Sequence, residues 1–511
     1  MSLRLSATPD ELKSKFGSLN TKQDIADLLE VDVSRLNYYL YVSPRATRYK
    51  TFEIRKASGG TREISAPATA LKIIQQKLNQ VLQCVYKRRP PVYSFIHDYN
   101  IVKNARNHLR RQYVFNIDLK DFFPSITFPR IRGLFMAKPY TLNQVVATIL
   151  AQICCFDSKL PQGAPTSPIV SNMICSKLDN ELQRLARKYN CRYTRYADDI
   201  TFSTQERAFP SALAAITVDG KLEVGDEVKH IIHQNWFDVN PDKVRLRKRN
   251  VCQVVTGIIV NNESPNVRRK YVRQIRAMLH AWEKYGVENA QKEFLNCYNH
   301  NKNRAPFRTP PLFKQIINGK LGFLGMVIGK NNPVYLRYWR QFKRLCLLED
   351  YEKLMKSTNA RQRGYLIENL LNRTFEFYEI SAIPSFRRNK NGEQIDGGFD
   401  MGGWQYIVEC RWRAKRAGIR DLDGLDGKVK RSGKSAKGFF LSINGWSTGL
   451  PNLMKQNPDK AIILMNGDDL HHVLKGNVNL QVLLEAKNQK LSLECEPFYG
   501  ANQFIKDSKK A

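Results

Sequence analysis

Arg195-Tyr196-Ala197-Asp198-Asp199-Ile200-Thr201-Phe202-Ser203 sets two adjacent carboxylates between apolar and β-branched residues. The runs Cys191–Thr194 and Ile200–Ser203 on either side read as short strands, which puts the pair at the tip of a hairpin. Neighbouring buried aspartates resist joint ionisation. A divalent cation removes that cost, and two cations about 4 Å apart serve an in-line phosphoryl displacement. In isolation an Asp-Asp pair is more often a solvated turn. The segments around it decide against that reading here.

Upstream, Tyr113-Val114-Phe115-Asn116-Ile117-Asp118 is an apolar strand that ends in a carboxylate. From a strand end Asp118 can share cations with Asp198 and Asp199, with Asp121 as the competing ligand. Phe123, five residues beyond Asp118, is placed to pack under a nucleotide sugar and exclude a 2′-hydroxyl. Leu160-Pro161-Gln162-Gly163-Ala164-Pro165-Thr166-Ser167-Pro168 is a loop of turn residues that would lay Gln162 and backbone groups against a nucleotide. One long helix, Ile169–Tyr189, is expected after it. Nearer the start, Lys56 to Ile64 reads as a hairpin turning at Gly59-Gly60. Lys56 and Arg62 then stand across from each other, as two cations holding a triphosphate would.

The 511 residues carry 82 lysines and arginines against 47 acids, a net charge of +35, which calls for a polyanionic partner. A hydrophobic fraction of 42% supports sizeable cores. No membrane partner is expected: no apolar run approaches about 20 residues, and Ser6–Lys15 is too polar for a signal peptide. Ten scattered cysteines without a CxxC pair fit reduced cytosolic thiols better than a disulfide framework or a zinc site.

The Lys56–Arg62 hairpin, the Asp118 strand, the Leu160–Pro168 loop and the Tyr196-Ala197-Asp198-Asp199 box follow the order and spacing of a reverse transcriptase palm, which the chain resembles over about residues 45–345. Asn240-Pro241-Asp242-Lys243 and Leu321-Gly322-Phe323-Leu324-Gly325 are similar to later motifs of that family. Asn104-Ala105-Arg106-Asn107-His108 and Val255-Thr256-Gly257 resemble the two short elements that mark retron reverse transcriptases. The resemblance implies a right-hand fold of fingers, palm and thumb. Asp118, Asp198 and Asp199 would hold two Mg2+ ions. Lys56, Arg62 and Gln162 would contact the dNTP, and Phe123 would be the sugar gate. Asn104, His108, Val255, Thr256 and Gly257 would serve nucleic-acid recognition, although a structural histidine is the better reading of His108 alone. The implied product is a branched, multicopy single-stranded DNA copied from a dedicated structured noncoding RNA, in an anti-phage setting.

Residues 1–45 read as small helices, either a helix-turn-helix or a packing cap. Arg268, Arg269 and Lys270 open a basic, aromatic-rich helical stretch suited to gripping a duplex. Beyond it, a helix carrying Glu368 precedes a strand into Asp396 and a strand holding Glu409 and Arg411. This resembles the PD-(D/E)xK restriction-endonuclease superfamily, Mrr-like branch, over about residues 360–475. It implies metal-dependent cleavage of a DNA target, with Asp396 and Glu409 as ligands of one or more Mg2+ ions and Glu368 as an outer partner. Arg411 stands where the family has lysine, and arginine does not deprotonate. Lys415 and Lys428 are candidate substitutes.

The expected fold class is α+β: a right-hand polymerase fold followed by an α/β restriction-endonuclease-like domain. The expected divisions are 1–45 helical, 46–263 fingers and palm, 264–348 thumb, 349–359 linker, 360–505 nuclease-like and 506–511 tail. A group II intron-like or other cellular reverse transcriptase is the alternative within the same class. A nucleic-acid-binding scaffold whose C-terminal domain does not cleave is the alternative outside it. Self-association into a homo-oligomer stays open.

Overall fold

The computed structural model describes residues 3–55, 59–217, 220–299, 312–387, 393–456 and 461–509. Lys56 lies outside them. The chain divides into two compact units. The first holds Met1–Gln274, Glu293–Pro311 and Gly322–Lys330, and the second Ile275–Lys292, Leu312–Leu321 and Asn331–Ala511. The stretch 264–348, expected as one thumb, is therefore shared between them.

In the first unit a five-stranded antiparallel sheet carries the aspartates. Tyr113–Lys120 is central. On one side it pairs with Asp199–Thr204, which pairs with Arg192–Tyr196; on the other it pairs with Asp238–Val239 and Arg245–Lys248. Strand alternation buries Phe115, Ile117, Ile200 and Phe202 completely or nearly so. The helix expected over 169–189 is two helices, Ser167–Ile174 and Ser176–Lys188, separated at Cys175. Leu178, Leu182 and Leu185 bury the second against the sheet core.

The N-terminal segment folds as Pro9–Gly17, Lys22–Leu28 and Val33–Asn37. Reciprocal caps start the first two: Thr8 with Glu11, and Thr21 with Asp24. Ile25, Leu29 and Leu36 join Leu78 and Val81 of helix Thr69–Val85 in the core of the first unit, so the segment acts as a packing cap.

The second unit contains a five-stranded sheet in chain order. Ala382–Arg387, Gln394–Met401 and Trp404–Arg411 form an antiparallel meander, and Ala436–Ser442 and Ile462–Asn466 add in parallel. Helix Ile419–Lys430 supplies the first parallel crossover. One face packs on Phe375, Leu470 and Leu483, the other on Leu422, Leu425 and Trp446. The expected linker 349–359 is helical as far as Lys356, in Pro333–Lys356. Its Tyr351 is buried in the core of the second unit and donates a hydrogen bond to Gly467 O at 3.0 Å. The basic stretch from Lys428 to Lys437 closes helix Ile419–Lys430, turns through 431–435 and opens strand Ala436–Ser442. The expected tail is ordered through Asp507, where Ala501–Asp507 forms a last helix.

Candidate functional site

Asp118 pairs in register with Asp199 across two antiparallel strands. Leu119 N–H donates to Asp198 O at 3.1 Å, so the three carboxylates gather at one end of the sheet. This register selects Asp118 over Asp121, which is exposed in the following turn at φ +44°. Burial, then the Asp118 charge, raises Asp198 above the usual carboxylate range, while Lys243 and Arg62 pull it down. The surrounding protein, then Asp198 and Asp118, push Asp199 up to about 7, although its own surface is open to solvent.

Lys243 answers part of this charge. Its Nζ lies 2.8 Å from Asp118 Oδ2, Asn240 Nδ2 lies 3.4 Å from Oδ1, and Asn240 N–H donates to Asp118 O at 2.8 Å. Neither side chain was assigned a role from sequence, although both sit in the quoted Asn240–Lys243 run. Among the described residues no three His, Cys, Asp or Glu side chains form a ready cation cage. The donor set still fits magnesium, which takes one or two carboxylates and completes its shell with water and phosphate oxygens. Three crowded carboxylates, with Asp198 and Asp199 held above their ordinary pKa, are the electrostatic complement of such a cation.

The nucleotide-side expectations are placed as follows. The Leu160–Pro168 loop docks on the hairpin strand Thr61–Pro67: Ser65 N–H donates to Gln162 O at 2.9 Å. Gly163 holds φ +126°, and a Cβ there would meet Ile64 Cγ2 at 3.0 Å and Ser65 O at 3.1 Å. Gln162 is half-buried and Arg62 exposed, with Arg62 near enough to lower Asp198. Phe123 is half-buried, its ring 6.4 Å from that of Phe95.

The aspartate turn is held from beneath. Ala197 adopts φ +56°, a left-handed conformation unusual for a residue with a side chain. Its N–H donates to Ser94 Oγ at 2.8 Å, and Arg195 Nη1 donates to its carbonyl at 3.1 Å. Arg195 is wholly buried and paired with Asp179 through Nε and Nη2, each at 2.7 Å. Tyr193 OH donates to the same carboxylate at 2.8 Å. Asp179 and Ser94 carried no signal in the sequence: Ser94 acts 103 residues away, and Asp179 meets Arg195 only because its helix packs on the sheet.

Helix Ile101–Arg106 packs against the hairpin that carries Val255-Thr256-Gly257, and Thr256 Oγ1 donates to Ile101 O at 3.3 Å. Asn104, His108 and Val255 are buried, so the nucleic-acid contact expected of them is not open to their side chains. Gly257 is exposed and Thr256 half-buried. Arg268, Arg269 and Lys270 are exposed at the start of helix Arg269–Tyr285.

In the second unit, Asp396 Oδ2 accepts from Cys410 N–H at 3.1 Å, which ties it beside Glu409. Glu409 is buried, with Arg411 on Oε1 and Lys428 Nζ 2.7 Å from Oε2. Glu368, on helix Ala360–Phe377, is pushed up to about 7 by burial and then by Asp396 and Glu409. Three carboxylates and two cations thus share one place. The hard-oxygen donors fit a divalent cation, and the lysine comes from a helix, not the Glu409 strand. Lys415 is exposed.

The family model described as reverse transcriptase (RNA-dependent DNA polymerase) matches residues 54–266. The Mx65 retron reverse transcriptase of Myxococcus xanthus is 34% identical over 53% of this chain and 66% of its own length, just under two thirds. The Ec86 retron reverse transcriptase of Escherichia coli is 30% identical over 51% of this chain and 78% of its own length. Among solved structures, the small subunit of the heterodimeric restriction endonuclease R.BspD6I aligns with 32% of this chain and 98% of its own length, at 20% identity and a TM-score of 0.22. Among the described residues no helix is long and apolar enough to cross a membrane.

Proposed function

This chain belongs to the retron reverse transcriptases, and on that premise we propose that its first unit copies a structured noncoding RNA into single-stranded DNA by nucleotidyl transfer from dNTPs. The observation that carries this reading is the register of Asp118 opposite Asp199, with Asp198 at the adjoining turn. Bound Mg2+ would supply charge neutralisation and Lewis-acid polarisation to the reacting phosphate, held by Asp118, Asp198 and Asp199. Lys243 keeps Asp118 oriented, Arg62 offers positive charge to the phosphates, and Gln162 is fixed beside them through its main chain. Phe123, half-buried in the turn after the Asp118 strand, would be the group that excludes a ribose 2′-hydroxyl. Arg268, Arg269 and Lys270 are available to backbone phosphates.

The test is to purify the chain from its native host and sequence the nucleic acid bound to it, beside an Asp198→Ala, Asp199→Ala double variant. A short DNA joined to RNA, absent from the variant, supports the reading. RNA without DNA in both samples removes the synthesis claim and favours a binding scaffold.

For the second unit we propose metal-dependent cleavage of a DNA target, serving with the polymerase in anti-phage defence. Support comes from the Glu368, Asp396 and Glu409 cluster with Lys428 beside it. Glu409 and Asp396 would hold the cation, which supplies Lewis-acid charge to the scissile phosphate. Lys428 would orient the attacking water, and Arg411 would steady the anionic phosphate. Asp396→Ala and Glu409→Ala variants that still cleave plasmid DNA or still protect cells from phage would overturn it.

A further inference from the structure

We propose that His108 is a positioning residue for the polymerase centre: it ties the Asn104–His108 segment to both strands of the aspartate hairpin and makes no contact with nucleic acid. The inference rests on the reading of that hairpin as the polymerase centre.

His108 has no exposed surface. Its Nδ1 lies 2.7 Å from Ser203 Oγ and its Nε2 lies 2.7 Å from Thr194 Oγ1. Thr194 is on strand Arg192–Tyr196 and Ser203 on strand Asp199–Thr204. In the register Thr194 opposes Thr201 and Arg192 opposes Ser203, so the ring spans the hairpin on its diagonal. Thr194 lies four residues before Asp198, and Ser203 four after Asp199. The ring therefore sets the spacing and shear of the two strands that deliver the carboxylates.

The chemistry suits a fixed strut. A neutral imidazole offers one donor and one acceptor, and each hydroxyl can take either role, so both hydrogen bonds are made in either tautomer. Burial, then Arg111 and Arg192, lowers the imidazole to about 3, and the ring stays neutral at any working pH. Period-2 alternation puts Tyr193 and Arg195 on the opposite face from Thr194. There they meet Asp179 on helix Ser176–Lys188. The hairpin is thus gripped on both faces by buried polar groups, His108 on one and the Arg195–Asp179 pair on the other.

His108 is also continuous with the second signature element. His108 N–H donates to Ala105 O at 2.9 Å at the end of helix Ile101–Arg106, and Arg110 N–H donates to Val260 O at 2.9 Å. With the Thr256–Ile101 hydrogen bond, this segment lies between the Val255-Thr256-Gly257 hairpin and the aspartate hairpin. Two motifs that looked like separate recognition elements form one support.

The test compares the full chain with His108→Leu and His108→Gln, using a poly(A) template, an oligo(dT) primer and dTTP as probes. We expect kcat to fall at least about tenfold in His108→Leu, since small misplacements at a reacting centre cost that much or more. The KM for dTTP and the Kd for the primer–template should stay within about twofold, well inside the tenfold that ~1.4 kcal/mol would give. His108→Gln, with a donor and an acceptor at its tip, should recover part of kcat. Amide hydrogen exchange should quicken across residues 192–204 in the leucine variant and less so in the glutamine variant. A weaker Kd with unchanged kcat for the bound complex, or unaltered exchange, overturns the proposal. If the native chain extends no primer, the polymerase reading fails by itself, and the exchange comparison still decides the strut.

Discussion

Lys428 Nζ and Glu409 Oε2 stand 2.7 Å apart although one is on helix Ile419–Lys430 and the other on strand Trp404–Arg411. The parallel crossover after that strand folds the helix back over it, which brings a lysine to the carboxylate from outside the local motif. Arg411 occupies the other oxygen of the same carboxylate. The second unit therefore sets both Lys428 and Arg411 on this one carboxylate.

This has a direct consequence for cleavage. Lys428→Met should lower Mg2+-dependent plasmid cleavage by about a hundredfold or more, the usual scale for losing a group that prepares a nucleophile. Lys415→Met, at an exposed position, should cleave like the parent. Gel assays of nicked and linear plasmid separate the two. Equal loss in both variants, or none in Lys428→Met, sinks the assignment.

The polymerase centre should show its crowding in the pH dependence of stability. Burial, then Asp198 and Asp118, push Asp199 up to about 7 in the folded chain, from an ordinary 3.8. Between those values the native state holds a proton that the unfolded state has released. Without divalent cations, stability contributed by this site is therefore present at low pH and falls as pH rises from about 4 to about 7. Asp199→Asn should flatten that fall. Mg2+ competes with the proton, so the rise in Tm that it produces should be larger at about pH 8 than at about pH 6. Thermal melts with EDTA and with Mg2+ check both signs.

Breaking the support under the aspartate turn should cost fold stability as well as activity. Asp179→Asn leaves the wholly buried Arg195 guanidinium without its counter-charge. Loss of one partner from such a pair costs about 3–5 kcal/mol. Urea unfolding of the full chain, followed by probes in the first unit, should show a matching drop in midpoint. A shift below about 1 kcal/mol, the range of exposed pairs, would contradict the buried geometry.

The Leu160–Pro168 loop gives a kinetic prediction. Gly163→Ala adds a Cβ 3.0 Å from Ile64 Cγ2 and 3.1 Å from Ser65 O, at a backbone angle that disfavours a side chain. Strain of about 1–3 kcal/mol is expected, and the loop should shift away from strand Thr61–Pro67. Steady-state kinetics should show a KM for dNTP raised about tenfold, the equivalent of ~1.4 kcal/mol. An unchanged KM would show that Gln162 is positioned by other contacts.

Much of the first unit was readable in the sequence because its signals are local. An apolar run ending at Asp118, a turn-rich loop at 160–168 and strands around Asp198-Asp199 are each set by alternation and turn chemistry within ten residues or so. The same locality explains what was misread. A continuous apolar pattern over 169–189 hid the break at Cys175. The charged composition of 349–358 masked a helix that buries Tyr351. The Asn104–His108 and Val255–Gly257 elements looked like recognition motifs, and nothing local shows that Asn104, His108 and Val255 face inward.

By itself the sequence determined which carboxylates, cations and aromatics are present, their order, and the short strands and turns that hold them. Tertiary structure alone decided which of them meet. The register between strands some 80 residues apart chose Asp118 over Asp121, and the pairing of Asp238–Val239 on the other side brought Lys243 onto it. Packing of the preceding helix on the sheet set Asp179 under Arg195, and a crossover set Lys428 on Glu409. Local patterns specify which face of a strand is apolar. They do not specify the pairing partner, because that choice is made by burial of the whole core, where a slip of one residue turns every side chain to the other face.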